Sequence, residues 1–196
     1  MLDISEHYVP LSLPEVFGNN NEFVLEIGFG DGDFLIEMAE RFPEKNFLGI
    51  EIKTKRFKIA LKKSKNHKYN NLKFLHMNAN IAVEEIFKDD LFSLVYINFP
   101  DPWPKDRHHK HRIVNQEFLG SLSKIMKHDG VLEIASDHRD YISHCFDVFE
   151  DVTFFKSQYP EPGFLHNIPN RPHTKYERGF RKEGREIFYL MFTNNK

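Results

Sequence analysis

Glu26, Gly28, Gly30 and Gly32 fall at every second position of Glu26-Ile-Gly-Phe-Gly-Asp-Gly-Asp33. Glycines at that spacing let a backbone turn tightly and approach a ligand without Cβ clashes. A dinucleotide turn, G-x-G-x-x-G, needs glycine at its sixth place, where this chain has Asp33, so no glycine admits a pyrophosphate to the following helix. Glu26, Asp31 and Asp33 also repel phosphate and suit a cationic or zwitterionic ligand. Glu51 follows nineteen residues after Gly32, a spacing at which a carboxylate can accept both hydroxyls of a ribose. A second constellation is Asn98-Phe-Pro-Asp-Pro-Trp-Pro-Lys105 with the basic run Arg107-His-His-Lys-His-Arg112 behind it. Three prolines forbid helix and ladder there. The resulting stiff loop carries Asp101, the sole tryptophan (Trp103) and Lys105 within five residues. Proline clusters by themselves mark surface turns, so the loop's chemistry rests on its other residues.

These residues need elements to place them. Phe23–Ile27 reads as a buried strand running into the glycine turn, and Phe34, Leu35, Met38, Ala39 and Phe42 form a helical stripe that Asp33 can cap and Pro43 stops. Phe47–Ile52 is a second strand, followed by a helix over about 54–64 with Phe57, Ala60 and Leu61 inward. Leu72–Met77 is a third strand, 81–87 a short helix, and Phe92–Ile97 a buried parallel strand that ends at the proline loop. Asn115 can cap a helix with Phe118, Leu119, Leu122, Ile125 and Met126 on one stripe; Asp129-Gly130 then turns into strand Val131–Ala135 and Ser136-Asp137. A helix through Tyr141, Cys145 and Phe149, a strand near 152–155, an irregular stretch over about 158–178 and a closing strand 186–192 complete the pattern. Strands alternating with helices predict an α/β fold: a doubly wound, mostly parallel, seven-stranded sheet. An irregular stretch of about twenty residues signals function or disorder, and its aromatics and arginines favour order.

With 196 residues, 14% aromatic and no Ser-, Gly- or Pro-rich linker, a single domain with a full core is expected. One cysteine, Cys145, permits no internal disulfide and fits a reducing compartment. No apolar stretch is long enough to span a bilayer, and the N-terminus lacks a basic-then-apolar leader, so a cytoplasmic protein with no membrane partner is expected. The net charge of −2 hides an uneven distribution. Eight Lys or Arg lie in Lys53–Lys68 without an acid, four in Lys105–Arg112 and six in Arg171–Arg185. Such segments can present a basic face to a polyanion, with solvated helix surface as the alternative for part of the first.

The glycine turn with Glu26 and Glu51 resembles a class I S-adenosylmethionine-dependent methyltransferase. Asn98–Lys105, Arg107–Arg112, Ser136-Asp137 and Thr174-Lys-Tyr-Glu-Arg-Gly179 make the resemblance more specific: the chain looks like the bacterial tRNA (guanine-N7)-methyltransferase family over about residues 20–192. The resemblance implies S-adenosylmethionine as methyl donor, no metal, tRNA and not DNA as partner, N7 of a variable-loop guanosine as acceptor, and a monomer or homodimer. It implies cofactor contacts at Glu26, Gly28, Gly30, Gly32, Glu51, Asn78, Ala79 and Asp101, with Asp101 also catalytic. Lys105, Asp137, Thr174, Lys175, Tyr176 and Glu177 match guanosine-binding positions, and Arg107, His108, His109, Lys110, His111 and Arg112 a segment that contacts RNA. Two departures stand out: Asn78 occupies a position that is commonly Asp, and the chain starts close to the glycine motif.

The residues themselves permit that reaction. Guanine N7 is an unprotonated lone pair on the major-groove edge, so an in-line methyl transfer to it needs positioning more than a base. Asp101 or Asp137 can accept from guanine N1 and N2 hydrogens and offset the charge developing on the ring. Trp103 and Tyr176 offer stacking faces, although a lone tryptophan more often packs. His108, His109 and His111 lack the Cys or carboxylate spacing of a metal site and suit RNA contact that weakens as pH rises through the imidazole range. Two rivals remain: a class I methyltransferase acting on another RNA base or a small molecule, and a non-catalytic RNA-binding protein on the same fold. The basic segments argue against a small molecule, the missing N-P-P-[YF] tetrad against exocyclic adenine amines, and intact Glu26, Glu51 and Asp101 against a vestigial site.

Overall fold

The computed structural model describes residues 10–67 and 70–196, so the leader reading at Met1 and the last residue of the first basic segment, Lys68, lie outside the described residues. β1 (Phe23–Ile27), β2 (Asn46–Glu51), β3 (Leu72–His76), β4 (Phe92–Asn98) and β5 (Met126–Ser136) run parallel to one another. β7 (Phe188–Asn194) pairs antiparallel with both β5 and β6 (Phe155–Ser157). The sheet order is β3-β2-β1-β4-β5-β7-β6, as expected a seven-stranded, mostly parallel α/β sheet. The order reverses at β1, with β2 to one side and β4 to the other. Open α/β sheets bind ligands at that switch point, beyond the carboxyl ends of the strands.

β1 and β2 are buried at every residue, because helices cover both faces. On one face α2 (Asp33–Arg41) and α3 (Thr54–Lys63) pack Phe34, Leu35, Met38, Phe57 and Ala60 against Phe47, Phe74 and Tyr96. On the other, α5 (Gln116–Ile125) and α6 (Arg139–Glu150) bring Phe118, Leu122, Tyr141 and Cys145 onto Leu25, Val95 and Ile134. Fully burying each large side chain is worth about 1.5–3 kcal/mol, so this two-sided core fixes the strand ends firmly.

The structure corrects several element readings. The lead-in before β1 holds a short helix, α1 (Leu13–Phe17), with Leu11, Leu13 and Phe17 buried in the larger core. Residues 79–86 split into a single turn, α4 (Ala79–Ile81), and a π-turn, Ala82–Ile86. β5 begins at Met126, and Asp129-Gly130 is an irregularity inside it: Asp129 has φ 59°, and the pairing register with β4 shifts between Phe92 and Leu94. Gly32, not Asp33, is the N-cap of α2. The basic run coils into a 3-10 helix, Asp106–His111. The irregular stretch ends early, because Lys175–Lys182 is helix α7.

Candidate active site

The carboxyl ends of β1, β2 and β4, the proline loop and the first turn of α7 line one cleft of about 920 Å³. The chain reverses between β1 and α2 only because Gly28, Gly30 and Gly32 take left-handed φ values of 74°, 58° and 80°. A Cβ on Gly32 would also lie 2.7 Å from the Ala60 Cβ of α3. Glu51 is clamped at this turn: Gly30 N–H donates to its Oε2 at 3.0 Å and Lys53 N–H to its Oε1 at 2.7 Å. Each oxygen keeps a lone pair.

The three acids around the turn are not equivalent. Asp31 accepts from Arg56 of α3 at 2.6 Å and Lys175 of α7 at 3.1 Å; burial opposes its ionisation, yet these two cations hold the carboxyl below its ordinary value. Asp33 accepts from Lys63 at 2.7 Å. Glu26 alone is left for a cationic ligand. It is 1% exposed, its Oε1 accepts from Asn98 Nδ2 at 2.8 Å, and its Oε2 has no donor among the described residues. Burial pushes the Glu26 carboxyl up to about 7, against the pull of Asn98 and Arg171 and with an added push from Glu51. Asn78 and Ala79 close the same cleft at the end of β3, where Asn78 Oδ1 caps α4 by accepting from Asn80 N–H at 2.8 Å.

The proline loop is strained and pinned. Phe99 and Trp103 are non-glycine residues at φ 49° and 44°, a conformation that persists only where the surroundings impose it. Phe99 N–H donates to Ala135 O at 2.8 Å, and Arg112 Nε donates to Pro102 O at 2.9 Å. Arg112 is 3% exposed, with its guanidinium 5.6 Å from the Tyr141 ring. This corrects the expectation of an RNA contact there: Arg112 is a buried pin for the loop. Asp101 stands at the cleft wall with its side chain 63% exposed, paired to Lys53 Nζ at 3.1 Å. Trp103 is half-buried against His108 and His111, ring centroids 5.7 and 5.1 Å away. His109 has Asp106 at 3.7 Å, and Arg107 and Lys110 are exposed. Lys105 is exposed and outside the cleft wall, so the structure does not bring it to the other guanosine-binding candidates.

Thr174 caps α7 by accepting from Glu177 N–H at 3.0 Å, which sets Lys175 and Tyr176 against the glycine turn. The Tyr176 ring lies 5.6 Å from the Arg56 guanidinium, and a Cβ on Gly30 would be 3.7 Å from it. Asp137 is ion-paired with Arg185. Glu177 departs from expectation. It is fully buried and accepts from Arg171, Arg181 and Tyr189, so it braces α7 and does not face the cleft. The residue sequence reasoning missed is Arg171. Its guanidinium donates to Glu133 Oε1 at 2.5 Å, to Glu177 Oε2 at 3.3 Å and to Asn98 Oδ1, and lies 4.8 and 4.9 Å from the rings of Phe34 and Tyr189. The available signal was an arginine between Pro169 and Pro172 in a stretch already read as ordered. Among the described residues no group of three or more His, Cys, Asp or Glu is placed to hold a metal, and no helix is long and apolar enough to cross a membrane.

The strand order, the glycine turn and the paired carboxylates at β1 and β2 define a class I S-adenosylmethionine-dependent methyltransferase fold. Solved structures with that fold agree: the 16S rRNA methyltransferase KamB (TM-score 0.70, 13% identity, 94% of this chain and 93% of that one) and a SAM-dependent methyltransferase from Aquifex aeolicus (TM-score 0.62, 13% identity, 97% and 92%). The sequence pattern of a family described as putative methyltransferase matches residues 20–190. The chain is 38% identical over 182 residues to the tRNA (guanine-N(7)-)-methyltransferase of Thermotoga maritima, covering 93% of this chain and 57% of that protein. It is 36% identical to that of Buchnera aphidicola, covering 95% and 78%. The chain belongs to the tRNA (guanine-N(7)-)-methyltransferase family. It spans little more than half the length of the Thermotoga relative.

Proposed function

We propose that the chain transfers the methyl group of S-adenosylmethionine to N7 of a guanosine in the variable loop of tRNA. The observation that carries this reading is the unpartnered, buried Glu26 Oε2 in the same cleft as the clamped Glu51, the exposed Asp101 and the first turn of α7. A buried carboxylate oxygen without a donor invites a cationic one, and the ammonium of a zwitterionic amino acid supplies it. Glu51, with free lone pairs beside the glycine turn, accepts ribose hydroxyls, and Asn78 and Ala79 face the adenine. S-adenosylmethionine supplies the reactive methyl on its sulfonium.

The acceptor nitrogen carries no proton, so the protein's task is to hold the guanine edge and balance charge. Of the two candidate carboxylates Asp101 suits this better, because Asp137 is consumed by Arg185 whereas Asp101 is exposed and shares only a surface ion pair with Lys53. Tyr176 is 42% exposed above the turn and offers a stacking face; Trp103 is already engaged by two histidines. Arg107, His108, His109, Lys110 and His111 on the 3-10 helix meet the phosphates.

The test is transfer of labelled methyl from S-adenosylmethionine to unmodified bulk tRNA, followed by nucleoside digestion and chromatography. Label in 7-methylguanosine is expected. Label in another nucleoside would keep the cofactor and overturn the acceptor, and absence of label with tRNA still bound would leave an RNA-binding protein.

A further inference from the structure

Beneath the cleft runs a buried polar chain that neither half of the reaction uses. Asn98, 8% exposed at the end of β4, donates its Nδ2 to Glu26 Oε1 and accepts on Oδ1 from Arg171. An amide used at both ends has one orientation, and Arg171 dictates it. On its other side the same guanidinium donates to Glu133 of β5 and to Glu177 of α7, whose second oxygen accepts from Arg181 and Tyr189. The Arg171 guanidinium lies 4.8 Å from the Phe34 ring of α2 and 4.9 Å from the Tyr189 ring of β7, with side-chain exposure of 4%. Thus one cation, 4.8 Å from an α2 ring, connects the carboxylate that awaits the cofactor's charge with the helix whose first turn presents Thr174, Lys175 and Tyr176 to the cleft.

We infer that Arg171 is a positioning residue that couples the two halves of the cleft: through Asn98 it holds Glu26 for the cofactor, and through Glu177 it holds α7 for the nucleic acid. The inference rests on the proposed reaction for the identity of the two ligands. Its physical content is reciprocity. If both ligands draw on the same guanidinium, each changes the other's affinity by the same factor, because coupling between binding sites is symmetric. The charge balance points the same way. Glu26, Glu133 and Glu177 share Arg171 and Arg181, with the His173 imidazole 3.3 Å from Glu177, so a cation arriving at Glu26 lessens the demand that Glu26 makes on Arg171 and leaves that guanidinium to Glu133 and Glu177. The groups facing Glu26 from the packed elements are Glu51 of β2, Asn98 and Tyr96 of β4, and Arg171 itself.

The test separates this from a merely structural role. Asn98→Ala cuts the link to Glu26 while leaving Arg171 on Glu133 and Glu177, and Arg171→Lys keeps the charge but not the three-way fork. Binding of tRNA is measured with and without saturating S-adenosylhomocysteine, and binding of S-adenosylmethionine by calorimetry at pH 6.5 and 8.5. Wild-type protein is expected to bind tRNA about fivefold or more tightly when S-adenosylhomocysteine is present. Asn98→Ala is expected to abolish that gain with cofactor-free tRNA affinity within about twofold of wild type. Its loss of S-adenosylmethionine affinity relative to wild type is expected to be larger at pH 6.5 than at pH 8.5, because the defect is in keeping Glu26 ionised, and a folding defect would not sort by pH in that way. Should Arg171→Lys fail to fold, Asn98→Ala alone decides the matter. Absence of coupling in the wild type, or coupling and pH profile preserved in Asn98→Ala, overturns the inference. Failure of the proposed reaction shows separately, as normal cofactor binding with no 7-methylguanosine formed.

Discussion

Four carboxylates stand at the glycine turn: Asp31 and Asp33 are already neutralised by Arg56, Lys175 and Lys63, and Glu51 is held by two backbone N–H groups. Glu26 is the one whose charge is uncompensated, and this gives it a pH signature. Its carboxyl is raised from 4.5 to about 7 by burial, so the folded protein retains a proton that the unfolded chain releases. The ligand-free fold therefore loses stability as pH rises from about 4.5 to 7, by roughly 3 kcal/mol in total, and is level above that. A bound cation reverses the preference. S-adenosylmethionine affinity is expected to rise about tenfold from pH 6 to 8, with a proton released on binding. Glu26→Gln should flatten the curve, and calorimetry in two buffers of different ionisation enthalpy would detect the missing proton. Asp101 poses the opposite case. Its pair with Lys53 is a surface ion pair worth about 0–1 kcal/mol, so Asp101→Ala should leave the melting temperature and tRNA binding nearly unchanged while single-turnover methyl transfer falls by about a hundredfold or more. Near-full turnover in that variant would remove Asp101 from the chemistry. At this scale the sequence located side chains whose place backbone geometry fixes, such as Glu26 and Glu51 on strand ends lining one cleft. It misled at Arg112 and Glu177, because a charged residue type implies exposure until its partners are known. Arg171 left only a faint signal, an arginine between two prolines, because its partners Glu133 and Asn98 lie 38 and 73 residues away along the chain.

Among the elements, the glycine turn and α7 carry the site, and they differ in what holds them. The turn depends on backbone conformation. Gly32→Ala forces a side chain into φ 80° and puts its Cβ 2.7 Å from that of Ala60, so it should cost about 1–3 kcal/mol. Chemical denaturation would show it as a lower midpoint at unchanged slope, accompanied by weaker cofactor binding. α7 depends on a cap and on buried charge. Thr174→Ala removes the acceptor for Glu177 N–H and should cost about 1 kcal/mol, felt as a raised KM for tRNA with S-adenosylmethionine affinity little changed. A rise confined to the cofactor constant would refute that division of labour. The same contrast explains which elements the sequence revealed. β1, β2 and β4 are apolar runs and α2, α5 and α6 apolar stripes, so pattern alone places them. α7 buries Glu177 toward the sheet and packs through ion pairs, so it carries no apolar stripe. With Pro172 just before it and Gly179 within it, the segment reads as irregular until its charged partners are in place.

Across the whole molecule the cations divide into two sets. Most of those around the glycine turn and the cleft wall are paired: Lys53 with Asp101, Arg56 and Lys175 with Asp31, Lys63 with Asp33, Arg185 with Asp137. On the 3-10 helix, Lys110 at the cleft edge and Arg107 beyond it are exposed and make no ion pair among the described residues. A protein of net charge −2 thereby keeps a locally positive rim at the edge of the cleft, a feature that can attract a polyanion. This arrangement was half legible in the sequence. The clustering of basic residues was visible, whereas which of them acids elsewhere in the chain had neutralised was not. The rim makes a quantitative prediction. Removing one cation from the phosphate backbone lowers the slope of log affinity against log salt by about 0.7–0.9, so the double variant Arg107→Ala/Lys110→Ala should bind tRNA more weakly and flatten the slope by roughly 1.5. Its S-adenosylmethionine affinity and its melting temperature should hold, because neither side chain supports the core. The measurement is tRNA binding at four or five salt concentrations for wild type and variant. Parallel lines would mean that the 3-10 helix does not meet the phosphates. A flattened line with a loss of affinity largest at low salt would mean that it does.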